Sequence, residues 1–192
     1  MPVSPAEQGS LRMDAVQEIA PAELGVFAPE VEVRRSDRRH RTVSARLRDG
    51  KLVVYLPARM SRAEEERWVR TMLKRFEARS LRTRLNSDGD LQRRAKELNR
   101  LYFGGKLEWS SLEYVTNQNS RYGSCSPADA TIRISSVLAE MPSWVRDYVL
   151  VHELAHLEEA NHSKDFWALV NRYPLTERAR GYLIAKGVEE ET

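Results

Sequence analysis

The chain has a single cysteine, Cys125, in 192 residues. One cysteine excludes an internal disulfide framework and suits a reducing compartment, so a cytoplasmic location is expected. No apolar run approaches membrane-spanning length, and no membrane partner is expected. The N-terminus has no basic region leading into an apolar stretch, so no secretory signal is expected either. Internal repeats and a Gly-rich phosphate loop are both missing, which excludes repeat architectures and the common nucleotide-binding loops. Histidine is scarce, with four in the chain, and three of the four fall within eleven positions of one another.

What is present fits a folded domain with a terminal extension. The apolar fraction of 41% can fill a core, and 31% charged residues is high but ordinary. A net charge of +3 and a pI near 9.1 give a weak hint of a nucleic-acid partner, through the basic N-terminal half. Residues 1–30 are rich in Ala, Pro and Glu and poor in large apolar side chains, a composition that predicts a disordered tail with at most a short helix around Leu11–Ile19. Residues 31–187 are expected to form one domain. Residues 188–192, with Glu189, Glu190 and Glu191, are expected to fray.

The clustered histidines lie in Val149-Leu150-Val151-His152-Glu153-Leu154-Ala155-His156-Leu157-Glu158-Glu159-Ala160-Asn161-His162. This is H-E-x-x-H with a third histidine six residues on. On a helix, His152 and His156 lie one turn apart on one face, so both imidazoles can reach one metal ion. Glu153 projects to the side of that face, where a carboxylate can take a proton from a metal-activated water. A catalytic zinc site uses three protein ligands and one open position, and His162 is the natural third. The competing reading is a buried helix with incidental histidines. From Trp144 to Leu157, however, apolar residues cover nearly the whole circumference, so the helix is expected to be buried. Buried polar side chains need partners, and one metal would satisfy several at once.

Pro142 suits the first helical position. The helix is expected to run to about Ala160 and to break at Asn161, which tolerates a left-handed conformation. In the metzincin pattern a glycine midway between the second and third histidines lets the chain leave the helix; here that position is Glu159. Ser163 reads as the N-cap of a further helix, with Asp165 in its first turn. An unbroken helix would instead turn His162 away and leave Glu158, Glu159 or Asp165 as third ligand. His40 sits in an arginine run and reads as a solvated bystander.

Elsewhere the pattern alternates between strands and helices. Val31–Leu56 reads as antiparallel strands, with Asp49-Gly50 as a two-residue hairpin turn. The run Arg34–Arg41 reads either as a phosphate-binding patch or as a solvated loop and polar strand face. Ser61 with Glu64 forms a capping box that opens a helix to about Leu85. A second helix runs from Asp90 to Gly104-Gly105, and the aromatics of both are expected in the core, with Leu98 and Leu101-Tyr102 on its apolar stripe. Strands return between Leu107 and Val137, around Arg121-Tyr122-Gly123-Ser124-Cys125-Ser126. Arg121 and Tyr122 are candidates to stabilise a developing oxyanion, against the alternative of a surface Arg and a packed Tyr. Cys125 reads as a small buried residue or as a fourth ligand, which would close the site. Phe166, Trp167, Leu169 and Val170 form the apolar face of the helix after Ser163, and a last short helix spans Thr176 to about Lys186.

Taken in order, three segments resemble the YgjP-type metal-dependent hydrolases, relatives of the SprT-like zinc metallopeptidases. They are Arg121–Ser126 (the family usually has Trp where this chain has Tyr122), Asp147–His156, and Asn161-His162-Ser163 with Phe166-Trp167. The similarity spans about Val31 to Lys186. The resemblance implies an α+β, zincin-like fold: a small antiparallel sheet packed on the H-E-x-x-H helix, with additional helices. It implies one Zn2+ on His152, His156 and His162, with Glu153 as general base, and it strengthens the case for Arg121 and Tyr122. The function expected is a zinc-dependent metallopeptidase acting on a peptide or protein. The alternatives are a metal-dependent nucleotide (phosphoanhydride) hydrolase and a DNA-associated module with structural zinc. If the tail reading holds, deleting Met1–Ala28 will leave the melting temperature, followed by circular dichroism, almost unchanged.

Overall fold

The computed structural model describes residues 29–118 and 120–187. The expectations for the N-terminal tail, and for the C-terminal end from residue 188, lie outside these residues. The architecture is mixed α+β, with two three-stranded sheets and five α-helices among the described residues.

The first sheet contains β1 (Glu30–Ser36), β2 (Ser44–Arg48) and β3 (Lys51–Pro57) in the order β1-β3-β2. Strands β2 and β3 form the expected hairpin. Asp49 and Gly50 both take positive φ, 50° and 77°, as a turn matching the strand twist requires. Strand β1, however, lies parallel to β3, with Glu30 opposite Lys51 and Ser36 opposite Pro57. The sheet is therefore mixed and not antiparallel as expected. The link between β1 and β2 passes the end of the sheet instead of closing a hairpin, so the two strands flank β3. Alternation alone carries no strand direction, which is why the sequence could not give it.

Helix α1 (Arg62–Ser87) covers one face of this sheet. Its capping box forms as read. Ser61 Oγ accepts from the Glu64 amide at 3.3 Å, and the Glu64 carboxylate accepts from the Ser61 amide at 3.1 Å. Leu52, Val54, Leu56 and Met72 form a small core here, flanked by Trp68, Val69, Leu73 and Phe76. Part of the arginine run has a structural task. Arg35 donates to Glu65 and to the carbonyls of Ala58 and Met60, tying β1 to the start of α1.

Helix α2 (Asp90–Phe103) follows Gly89 and ends at Gly104; both glycines are left-handed. Its stripe is buried at Leu91, Ala95, Leu98 and Phe103, but Leu101 is exposed, against expectation. The second sheet contains β4 (Ser111–Val115), β5 (Gly123–Ser126) and β6 (Thr131–Ser135), in the order β4-β6-β5. It is also mixed, with β4 parallel and β5 antiparallel to β6. Side-chain amides stitch helices to this sheet: Asn86 bonds both the amide and the carbonyl of Tyr114, and Gln92 donates to Leu112 O.

Helix α3 (Ser143–Ala155) packs across this sheet and α2 and forms the centre of the larger core. Nine of its thirteen residues are buried, in keeping with its all-round apolar pattern. Pro142 is the N-cap, with extended ψ of 139°, and so sits one position earlier than read from the sequence. Helices α4 (Lys164–Val170) and α5 (Thr176–Ala185) close the far side of α3.

One buried ion pair clamps α2 to α3. Arg94 grips Asp147 with Nε on Oδ1 at 3.0 Å and Nη2 on Oδ2 at 2.6 Å. The carboxylate is almost fully buried, while the guanidinium is about one-third exposed. Removing one partner of such a pair strands a buried charge. Arg94→Leu is therefore expected to lower unfolding free energy in urea by about 2–3 kcal/mol, with Arg146 nearby limiting the loss. Arg94→Leu/Asp147→Leu should recover part of it.

Candidate metal centre

The helix supplies the first two histidines. His152 lies in the last turn of α3, and His156 is its C-cap, still right-handed at φ −65° and ψ −16°. The one-turn spacing therefore holds although α3 stops at Ala155, five residues earlier than expected. Its exit also differs from the sequence reading. Successive turns, closed by bonds from Leu157 N to Leu154 O and from Glu158 N to Ala155 O, carry the chain away. Asn161 does not take positive φ. No left-handed residue is needed, because tight three-residue turns unwind the helix end. Ser163 then caps α4, accepting from the Phe166 amide at 3.2 Å.

This exit brings His162 back to the helix. The three imidazole centroids are 4.9–5.1 Å apart. His162 Nε2 is 3.2 Å from His152 Nε2. His156 Nδ1 donates to the Glu159 carbonyl at 3.1 Å, which leaves its Nε2 bare and facing the other two. Ligand nitrogens from the three histidines all lie within 4.8 Å of one another, and no carboxylate joins this group among the described residues. Glu158, Glu159 and Asp165 are thus not in the cluster. Nor is Cys125, which is half-buried at the cleft wall with its thiol pushed up to about 12 by burial.

Phe166 packs beneath the three rings, and Trp167 lines the cleft beside them. The Phe166 ring lies 4.5–4.9 Å from all three imidazoles, and Trp167 stacks on His162 at 5.8 Å. The apolar surroundings set the charge state. Burial pulls His152 down to about 3, helped by its histidine neighbours, and it lowers His156 as well. Both are then neutral at physiological pH, the form that binds metal. Two nitrogens on a tetrahedral zinc at about 2.0–2.1 Å would lie about 3.3 Å apart, and the 3.2 Å between His152 and His162 fits that spacing. His152 Nδ1 is buried without a hydrogen-bond partner.

Glu153 is buried, and burial raises its carboxyl to about 8, with Arg121 acting in the opposite direction. Its position depends on Gly123, a residue that the sequence reading did not single out. A Cβ on Gly123 would lie 2.7 Å from Glu153 Cγ and 2.8 Å from Cδ, and closer still to Oε1. Gly123 is not at positive φ, so its need for glycine is purely steric. No sequence signal exposes such a need, because the two residues are thirty positions apart. A cleft of about 350 Å³ opens over the cluster, lined by Arg121, Tyr122, Cys125 and Trp167 along with the three histidines and Glu153. Arg121 is exposed and Tyr122 half-buried, its hydroxyl pKa raised by burial. The arginine run 34–41 does not line this cleft.

Three converging imidazoles beside a buried carboxyl, in an open cleft, define a candidate metal centre of hydrolytic type. The chain belongs to the YgjP-like family: residues 56–184 match the model described as YgjP-like, metallopeptidase domain. No curated protein sequence matches significantly. Among solved structures, that of the metallopeptidase zymogen of Pyrococcus abyssi abylysin aligns with a TM-score of 0.44 and 20% identity, over 50% of this chain and 94% of that one. No helix of the described residues is long and apolar enough to cross a membrane.

The steric slot at Gly123 gives a double-mutant test. Gly123→Ala is expected to lower the melting temperature by several degrees, as overpacking by about 1–3 kcal/mol would. In a Glu153→Ala background the same change should cost almost nothing. Equal losses in both backgrounds would mean that Gly123 does not act through Glu153.

Proposed function

We propose that this chain is a zinc-dependent peptidase of zincin-like design, with His152, His156 and His162 as ligands and Glu153 as general base. The observation that carries the reading is the convergence of three imidazoles beside one buried carboxyl in a cleft, within a metallopeptidase-family domain. Bound zinc would supply Lewis acidity, lowering the pKa of water and polarising a peptide carbonyl. Glu153 accepts the proton of the attacking water and returns it to the leaving amine. Its raised pKa suits both halves of that exchange near neutrality. The Glu159 carbonyl holds the His156 ring in the tautomer that keeps Nε2 free.

Strand β5 is an edge of the second sheet and borders the cleft. An extended peptide fits there by adding to the β5 backbone, which favours a peptide over a compact small molecule. Arg121 and Tyr122, at the head of the same strand, are the donors in reach of an oxyanion. The phosphoanhydride alternative gains nothing from the arginine run, which lies outside the cleft.

Zinc content and casein hydrolysis, measured together, test the assignment. Glu153→Gln should retain about one zinc per chain and lose at least 100-fold in turnover. His162→Ala should weaken zinc binding by about 10- to 100-fold without abolishing it, because two ligands remain. Parent-like zinc affinity in His162→Ala would exclude that residue as a ligand, and parent-like turnover in Glu153→Gln would exclude the base.

A further inference from the structure

The charge of this protein is not spread evenly. Residues 29–87, which form the first sheet and α1, hold seventeen Lys and Arg against eight Asp and Glu. Residues 88–187, which hold the metal cluster, have thirteen of each. Within α1 from Arg67 onward there are seven basic residues and one acid, Glu77. The net positive charge therefore belongs to one unit, which does not contribute to the cleft described above.

That unit has a groove of its own, about 750 Å³, between edge strand β2 and the C-terminal half of α1. Leu47 and Phe76 line it with apolar surface, over the buried side chains of Leu52 and Met72. Leu47 is 52% exposed, although it sits next to a core position. Arg46, Arg75, Arg79 and Arg84 line the same groove, and all four are exposed. Among the described residues, Arg46, Arg75 and Arg79 have no ion-pair partner. Three arginines on β1 and at the start of α1 are instead held in ion pairs: Arg34 with Glu32, Arg35 with Glu65 and Arg62 with Glu66.

We propose that the groove between β2 and α1 binds single-stranded nucleic acid, with the arginines on the phosphates and bases against the apolar floor. A row of cations beside an apolar strip matches a strand whose charged backbone and flat bases lie on opposite sides. Arginine suits the task because its planar fork pairs with phosphate oxygens and its face stacks on bases. A duplex keeps its bases inside and would leave Leu47 and Phe76 without a partner. An acidic protein would neutralise the arginines but has no repeating flat apolar groups for the floor. The proposal is independent of the zinc peptidase reading, since no residue of the metal cluster takes part.

The test uses the full chain and fluorescein-labelled 20-mers of dT and rU, followed by anisotropy at 50–300 mM salt. Binding to at least one single strand is expected, with log affinity falling against log salt at a slope near −3, as about four phosphate contacts would give. Arg75→Glu/Arg79→Glu should weaken binding more than tenfold at 100 mM salt and flatten the slope. Arg100→Glu/Lys106→Glu changes the net charge equally on exposed positions of the neutral unit, and should leave binding within about twofold. A 20-base-pair duplex should compete poorly. Vesicles of phosphatidylserine and phosphatidylcholine should not compete at equal phosphate concentration. Four results would each overturn the proposal: no binding of either strand, equal losses in the two charge-reversed variants, competition by duplex as effective as by single strand, or displacement by the vesicles.

Discussion

Burial of α3 is the constraint on which the rest of the structure depends. Its apolar residues need cover on every side, and the second sheet, α2, α4 and α5 supply it. Within that cover lie Asp147, His152 and Glu153, all costly to bury alone. Asp147 is answered by the Arg94 fork. Glu153 is accommodated by the missing side chain of Gly123, and its carboxyl is driven toward the neutral form. His152 is driven to neutrality by the same burial. One packing decision thus fixes the helix and sets the ionisation of the side chains buried with it.

Geometry around the cluster comes from aromatic packing as much as from the helix. Phe166 touches all three rings and holds them from below, while Trp167 stacks on His162 from the cleft side. Both aromatics belong to α4, whose start is fixed by the Ser163 cap one residue after His162. The cap, the returning histidine and the supporting rings therefore all lie within residues 162–167. Support of this kind fixes the positions of the three imidazoles through packing alone.

Charge separates the molecule in a way that composition conceals. A total of +3 looks unremarkable, yet the described residues divide into a strongly basic unit and a neutral one. The family match begins at residue 56, near the end of β3, so β1 and β2 lie outside it. The arginine-lined groove is built partly from β2 and partly from α1, joining a segment outside the match to one inside it.

Local signals in the sequence determined most element boundaries. The Ser61–Glu64 box, Asp49-Gly50, Gly104 and Ser163 act through backbone preferences within a few residues, so they read correctly without the rest of the chain. The spacing of His152 and His156 is equally local, because one helical turn brings them together whatever surrounds the helix. Tertiary structure alone decided the remainder. Strand direction in both mixed sheets depends on which edge each strand finds, and alternation is the same for either direction. Helix α3 ends at Ala155 rather than near Ala160, and Asn161 is not left-handed. Whether His162 returns or turns away depended on that same exit. The contact of Gly123 with Glu153 joins residues thirty positions apart, so no spacing rule could reveal it; only packing the strand against the helix does.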